Sequence, residues 1–378
     1  MIEQAAVPDG PDSAMAEDGR LTEDEELALT EAESESEPVS YSGTDFDAEG
    51  LVRRLHRGDI VIPNFGHGDE NIELAAFQRG FVWRKTQMDR FIESLLLGYP
   101  IPGIMLVQQT DKRYLVLDGQ QRLKTLQAFY TGVHASKVFS LENVADDFKG
   151  LTYETLAPEQ RRTLDNTFIQ ATIVRTDGSR ESLESIYQVF ERLNSGGTQL
   201  TPHEIRIALY PGAFVELLGE LNQEEGWRKI YGLPSPRLRD HEVILRILAL
   251  YVRSAEYYRP LKKFLNDFLG DHRDLSKLPA SDISRLFSDA TTALADANAR
   301  QVLRRSGQRV NAAVLESVVV AMMRRVVRGG DTSVPAISGA LNKFITNPEV
   351  ARSTTISTAT EENLHSRLNA ANAAFDAS

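Results

Sequence analysis

Residues 114–130, YLVLDGQQRLKTLQAFY, decide how this chain is read. An apolar run from Tyr114 to Leu117 ends on the carboxylate of Asp118, turns on Gly119 and enters a helical pattern through Gln120, Gln121 and Arg122. A strand that stops at Asp-Gly and hands over to a helix leaves the first backbone N–H groups of that helix unpaired. With the positive end of the helix dipole they make an anion site. Arg122 falls in the first turn, where a guanidinium grips phosphate oxygens through paired hydrogen bonds. A carboxylate beside an anion site needs a purpose, and a bridging Mg²⁺ or a water to be oriented supplies one. The alternative is structural: strand-Asp-Gly-helix is a common turn, and Arg122 can pair with Asp118 merely to hold the connection.

On either side of this stretch the pattern alternates between short strands and helices. Residues 51–57 (LVRRLHR) read as a short helix, and DIVIPNF (59–65) and NIELAAFQR (71–79) as short extended segments. Thr86 is expected to open a helix with Asp89 as its capping-box partner, with Met88, Phe91, Ile92, Leu95 and Leu96 at helical spacing and Gly98 as the stop. Pro100 and Pro102 lead into the strand GIMLVQQ (103–109), which YLVLD should pair as a hairpin, and FIQATIVR (168–175) reads as the last strand. Beyond Glu181 the pattern is helical. ESLESIYQVFERL (181–193) is amphipathic, and Thr201-Pro202 starts a new helix with Pro at its first position. Further helices are expected near 212–222, 240–257, 260–269, 281–304, 309–328, 336–345 and 360–375. The expected fold class is therefore α+β: a small mixed α/β core over residues 45–180, followed by an irregular all-α domain over 181–378.

The chain has 378 residues and no cysteine, which excludes disulfides and thiolate metal sites; its seven histidines are scattered, so a zinc centre is not expected. No signal peptide and no apolar run of membrane-spanning length is evident, so a soluble, cytoplasmic protein without membrane partners is expected. The net charge of −12 is unevenly spread. Residues 1–50 hold sixteen Asp/Glu against Arg20 alone, which leaves the remainder at +3. The acidic stretch, residues 1–44, has the composition of a disordered tail. It reads either as a solvating tail or as a phosphate mimic that lies over a basic groove until nucleic acid displaces it.

Three clusters place polar side chains beside glycine at element boundaries. The first is FQRGFVW (77–83), with Gln78, Arg79 and Trp83. The second is Asp118 to Arg122. The third is ERLNSGGTQLTPHEIR (191–206), with Arg192, Asn194, Glu204 and Arg206 around Gly196-Gly197. Paired glycines before a helix suit phosphate cradling, and they equally suit an ordinary helix–loop–helix linker. Arginines at 304, 305, 309, 324, 325, 328, 237, 239 and 246 read as either a DNA-facing surface or a solvated face. Trp83, Tyr257 and Tyr258 read as base-stacking or as core.

The order FQRGFVW, LVLDGQQR-K-T, FERLNSGGT-L-HEIR, RDHEVILRILAL and PLKKFLNDF resembles the N-terminal domain of GmrSD-type modification-dependent restriction endonucleases, a group that also includes phosphorothioate-sensing anti-phage proteins. The resemblance runs over about residues 50–375. It implies a core similar to ParB and sulfiredoxin that binds and hydrolyses nucleoside triphosphate with Mg²⁺, joined to a helical domain. Its motif falls on Asp118 (metal or water), Gly119 (close approach), Gln120, Gln121 (water orientation) and Arg122 (phosphate charge). Gln78 and Arg79 match the preceding block, and Arg192 and Asn194 complete the pocket. The partners it implies are DNA bearing a modification and a separate nuclease subunit; association with further copies of the chain stays open. Many members carry a histidine-based HNH nuclease domain, and these 378 residues contain no such block, so HNH cleavage by this chain is not expected. The rival expectations are a DNA-binding adaptor that uses nucleotide only as a switch, and a core that nicks DNA through Asp118.

Overall fold

A computed structural model describes residues 38–62, 83–193, 201–235, 237–303, 311–354 and 358–376. By internal contacts the described chain divides into two compact units, one within residues 34–199 and one within residues 200–378. The acidic stretch up to residue 37, Gln78, Arg79, Asn194, Gly196-Gly197 and Arg304, Arg305 and Arg309 lie outside the described residues.

The first unit holds a five-stranded mixed sheet. Its strands are β1 (Tyr41–Asp47), β2 (Ile60–Val61), β3 (Ile104–Gln108), β4 (Tyr114–Asp118) and β7 (Phe168–Arg175), in the spatial order β1-β7-β3-β4-β2. β3 and β4 form the expected antiparallel hairpin. β7 runs parallel to β3, and β2 runs parallel to β4. β1 closes the other edge, antiparallel to β7 from Tyr41↔Val174 to Asp47↔Phe168. Sequence patterning did not indicate this strand, which begins inside the stretch read as tail. YSGTDFD lacks an apolar alternation because an edge strand buries little, and Tyr41 is 73% exposed. β5 (Val133–His134) and β6 (Lys137–Val138) make a small separate hairpin.

Four helices cover one face of the sheet: α1 (Ala48–Arg57), α2 (Lys85–Leu96), α3 (Gln120–Thr131) and α4 (Pro158–Asp165). Leu51, Ile92, Leu95, Leu123, Leu126, Phe129 and Leu164 from these helices share a core with Ile104, Leu106, Val116, Ile169 and Ala171 from the strands. Burial of each such side chain contributes about 1.5–3 kcal/mol. α1 is capped at both ends. The Asp47 carboxylate accepts from the Gly50 N–H at 2.6 Å, and Gly58 terminates the helix in the left-handed region. α2 is capped two residues earlier than the sequence suggests. Its cap is Arg84, whose N–H donates to Gln87 Oε1 at 3.0 Å. Asp89, expected in the capping box, is instead fully buried. It accepts from the N–H groups of Glu142 and Asn143 at 3.2 and 3.0 Å, from Asn143 Nδ2 at 2.8 Å, and from Lys85 Nζ. α5 (Arg180–Leu193) follows β7 and groups with the sheet unit.

The second unit is all-helical over its described residues: α6 (Pro202–Leu209), α7 (Ala213–Gln223), α8 (Glu225–Tyr231), α9 (Arg239–Arg253), α10 (Leu261–Asp271), α11 (Ala280–Asp296), α12 (Ala299–Leu303), α13 (Ala312–Val327), α14 (Val334–Ile345), α15 (Pro348–Ser353) and α16 (Glu361–Asp376). α6 starts as the sequence predicts. Thr201 Oγ1 accepts from the Glu204 N–H at 3.1 Å, Glu204 Oε2 accepts from the Thr201 N–H at 2.6 Å, and Pro202 takes the first position. α13 is buried on all sides from Ala313 to Met323 and packs against α9, α11 and α16, which makes it the central helix of the unit. Among the described residues, no helix is long and apolar enough to cross a membrane.

Candidate functional site

The site grows from the end of β4. The hairpin register slips by one residue between Met105 and Leu106, so that Met105 faces Asp118 while Leu106 faces Val116. An extra residue on one strand is a β-bulge, a device that bends a strand and re-aims the side chain at its end. Leu115, Val116 and Leu117 are buried, and the next side chain, Asp118, emerges with 56% exposure. Gly119 follows with φ +94° as the N-cap of α3. A Cβ there would lie 2.5 Å from Ile104 Cγ2, so both the backbone conformation and the packing require glycine.

The buried Arg122 braces the turn. Its Nη2 donates to Asp118 Oδ2 at 2.7 Å and its Nη1 to the Pro102 carbonyl at 2.8 Å. One guanidinium thus ties the exit of β4 to the entry of β3 and fixes one oxygen of an otherwise exposed carboxylate. Gln121 points its amide oxygen at the chain entering α2, accepting from the Trp83 N–H at 3.1 Å. Trp83 in turn sets its ring edge-on to Phe91, 5.5 Å between centroids. The last residue of FQRGFVW and the Asp118–Arg122 segment are therefore bonded neighbours, although 38 residues separate Trp83 from Gln121. Gln120 is half-buried at the first position of α3. Arg192 is exposed in the last turn of α5, and among the described residues no hydrogen bond or ion pair joins it to Asp118–Arg122.

Lys124, the lysine of the LVLDGQQR-K-T block, is given no role by sequence reasoning. It lies one turn beyond Gln120, and burial pushes its ammonium down to about 8. Its signal was present in the sequence, as a lysine interrupting the inward positions Leu123, Thr125 and Leu126 of α3. Trp83 serves as core and clamp rather than as an open stacking platform. Tyr257 is buried, with its hydroxyl donating to the Ala359 carbonyl at 2.6 Å, and the Tyr258 hydroxyl is spent on Asp267.

In the helical unit the blocks HEIR and RDHE meet in a buried polar network. His203 Nε2 and His241 Nδ1 are 2.8 Å apart, Arg206 Nε donates to Asn266 Oδ1 at 2.7 Å, and Arg237 pairs with Glu204 at 3.2 Å. Burial, then the neighbouring His241, holds the His203 imidazole neutral, far below its usual range. Two of the arginines read as a DNA-facing or solvated surface, Arg237 and Arg325, are buried instead, whereas Arg328 is exposed and Arg304, Arg305 and Arg309 lie outside the described residues. Arg237 and Arg325 are 2% exposed, and Arg325 donates to the carbonyls of Asp331 and Phe375. Arg246 pairs with Glu242, Arg324 donates to Ser254 and Asn372, and Arg328 pairs with Asp376. A guanidinium reads as surface in a sequence, yet five donors on a planar fork suit it to buried carbonyls and carboxylates.

Residues 62–211 match the model of the GmrSD restriction endonuclease, N-terminal domain. No curated protein and no solved structure matches the chain. The match takes in the β3–β4 hairpin, the bulge, the Asp118–Arg122 turn and the capped start of α6. It is therefore the segment 62–211 that is similar to the GmrSD restriction endonuclease N-terminal domain.

Proposed function

We propose that this chain is a nucleotide-hydrolysing component of a bacterial modification-dependent restriction or anti-phage system, acting on DNA together with a separate nuclease. The observation that carries the reading is the turn at Asp118. A bulged strand end, a left-handed glycine and the start of a twelve-residue helix set backbone N–H groups beside a carboxylate that a buried arginine orients. Phosphate oxygens would take the N–H groups at the start of α3, with Gly119 allowing close approach and Gln120 at the rim. Arg122, with two donors already committed inside the protein, acts chiefly by orienting Asp118. Gln121 positions the attacking water, and Gln78, Arg79, Arg192 and Asn194 complete the nucleotide contacts.

Mg²⁺ fits the residues present. Asp118 Oδ2 is taken by Arg122, and no hydrogen bond from another described residue engages Oδ1. Among the described residues no group of three His, Cys, Asp or Glu gathers to hold a metal by itself. One carboxylate oxygen plus substrate phosphates and water is the coordination that Mg²⁺ commonly accepts. Bound there, the ion would neutralise charge on the phosphates.

The test is phosphate release from a panel of ATP, GTP, CTP and UTP with Mg²⁺. The reading requires turnover of at least one nucleotide by the wild type and its loss in Asp118→Asn. The internal commitment of Arg122 favours a second reading, in which the turn holds nucleotide as a conformational switch. Nucleotide binding by calorimetry without any phosphate release would select it.

A further inference from the structure

We infer that the exposed C-terminal half of α1 is a nucleic-acid contact surface, in which Arg53, Arg57 and His56 meet the phosphodiester backbone. α1 carries Arg53, Arg54, His56 and Arg57 within five residues. Arg53, His56 and Arg57 are exposed, and Arg54 lies half-buried with its guanidinium 5.3 Å from the centre of the Phe46 ring. Among the described residues neither Glu49 nor Asp59, the nearest acids in sequence, forms an ion pair with any of them. Exposed basic side chains at several other places do stand against an acid, as in Arg113–Asp111, Lys149–Asp146, Lys229–Glu225 and Arg352–Glu349. Arg53 and Arg57 lie four residues apart on one helical face, an arrangement in which like charges repel and cost a few tenths of a kcal/mol. The helix dipole offsets part of that cost, because the cluster sits at the C-terminal end. Arg162 is exposed on α4, which packs against α1, and it widens the basic face.

The chemistry favours a phosphate backbone over an anionic membrane. A helix that binds a bilayer needs an apolar face to insert. The apolar side of α1 (Ala48, Leu51 and Val52) is already spent in the core of the sheet unit, and Leu55 packs against that core. What remains outward is charge without grease, the composition of a backbone-positioning contact that carries no base readout. The inference rests on the proposed action on DNA and adds where the duplex is gripped, well apart in sequence from the Asp118 turn.

The full-length chain and its Arg53→Ala/Arg57→Ala variant should be titrated against a fluorescein-labelled 25-base-pair duplex between about 25 and 200 mM salt, followed by anisotropy. Loss of two phosphate contacts should flatten the slope of log K against log salt by about two and weaken binding more than tenfold at about 0.1 M. The thermal midpoint should hold or rise, since a like-charge pair is removed, and phosphate release at the Asp118 site should be unchanged. Equal affinity and slope in wild type and variant would overturn the surface while leaving the action on DNA intact. A wild type that binds no duplex at low salt would overturn both. Tighter binding by the variant would assign the arginines to the acidic segment of residues 1–37. Retained duplex binding with lost sedimentation on phosphatidylserine vesicles would assign them to lipid; either outcome sinks the inference.

Discussion

Arg122 and Gly119 build the turn, Lys124 lies a helical turn beyond Gln120, and each can be tested alone. Arg122→Ala removes two charge-assisted bonds and strands the Pro102 carbonyl. A loss of about 1–3 kcal/mol in urea unfolding is expected, together with a fall in nucleotide turnover on the order of 100-fold, because Asp118 loses its orienting partner. Gly119→Ala forces a side chain into the left-handed region and onto Ile104; about 2–4 kcal/mol should be lost. The matched control is Gly43→Ala on the open β1 edge, where a Cβ meets nothing within 4 Å and the change should be near neutral. Lys124 gives a pH signature. Its folded-state value, about 8, lies below the usual lysine value of 10.5, so the native state binds fewer protons than the unfolded state between those limits. Stability contributed through this group therefore rises as pH climbs from about 8 towards 10.5, and at pH 7 the buried charge is a cost. Lys124→Met should remove that rise, and the difference in unfolding free energy between variant and wild type, followed from pH 7 to pH 10, should shift in favour of the wild type.

At the scale of elements, the latch between α2 and the loop that follows β6 is the clearest case for mutation. Asp89→Ala would leave two backbone N–H groups and the Asn143 amide without their acceptor. About 2–4 kcal/mol of destabilisation is expected. Hydrogen exchange should quicken over residues 139–145 well before it does in β3 and β4; uniform exchange across the unit would refute a local latch. The residue that forms this latch shows where the sequence was readable and where it was not. Long helices with inward apolar spacing, such as α2 and α3, and the Thr201-Pro202 start of α6 were legible, since periodicity and capping are local. Asp89 was legible as a helix residue but not as an anchor, because its partners in the loop, Glu142 and Asn143, lie more than fifty positions away. α8, α12 and α15 are too short for a period to show, and β1 is too polar. At the turn, the pairing of Asp118 with Arg122 was readable as one of two alternatives. The brace to Pro102 and the clamp on Trp83 were not, since tertiary approach alone creates them.

For the whole molecule, charge and metal chemistry make two further expectations. Deleting residues 1–37 removes thirteen Asp/Glu and Arg20, taking the net charge from −12 to neutral. Non-specific DNA affinity should rise at low salt, with the gain fading as salt is added; unchanged affinity in a gel-shift series would reduce the segment to a solubility device. Purified chain with Mg²⁺ and nucleotide should leave supercoiled plasmid without double-strand breaks, because phosphodiester hydrolysis relies on a firmly held metal and an activated water. Among the described residues no three-ligand group exists to hold such a metal. Linear product lost in Asp118→Asn would place the nuclease in this chain. The pairing of β1 with β7 has a further consequence, one that concerns time. The strand that opens the sheet unit waits for the strand that closes it, Tyr41 for Val174, so almost the whole unit must be synthesised before its edge can form. On the ribosome the nascent chain must hold the hairpin and helices in an unfinished state until β7 emerges, and contacts of such long range are slow to form. Translation rate near residues 168–175, more than near the Asp118 turn, would then govern how much of this protein reaches its native state.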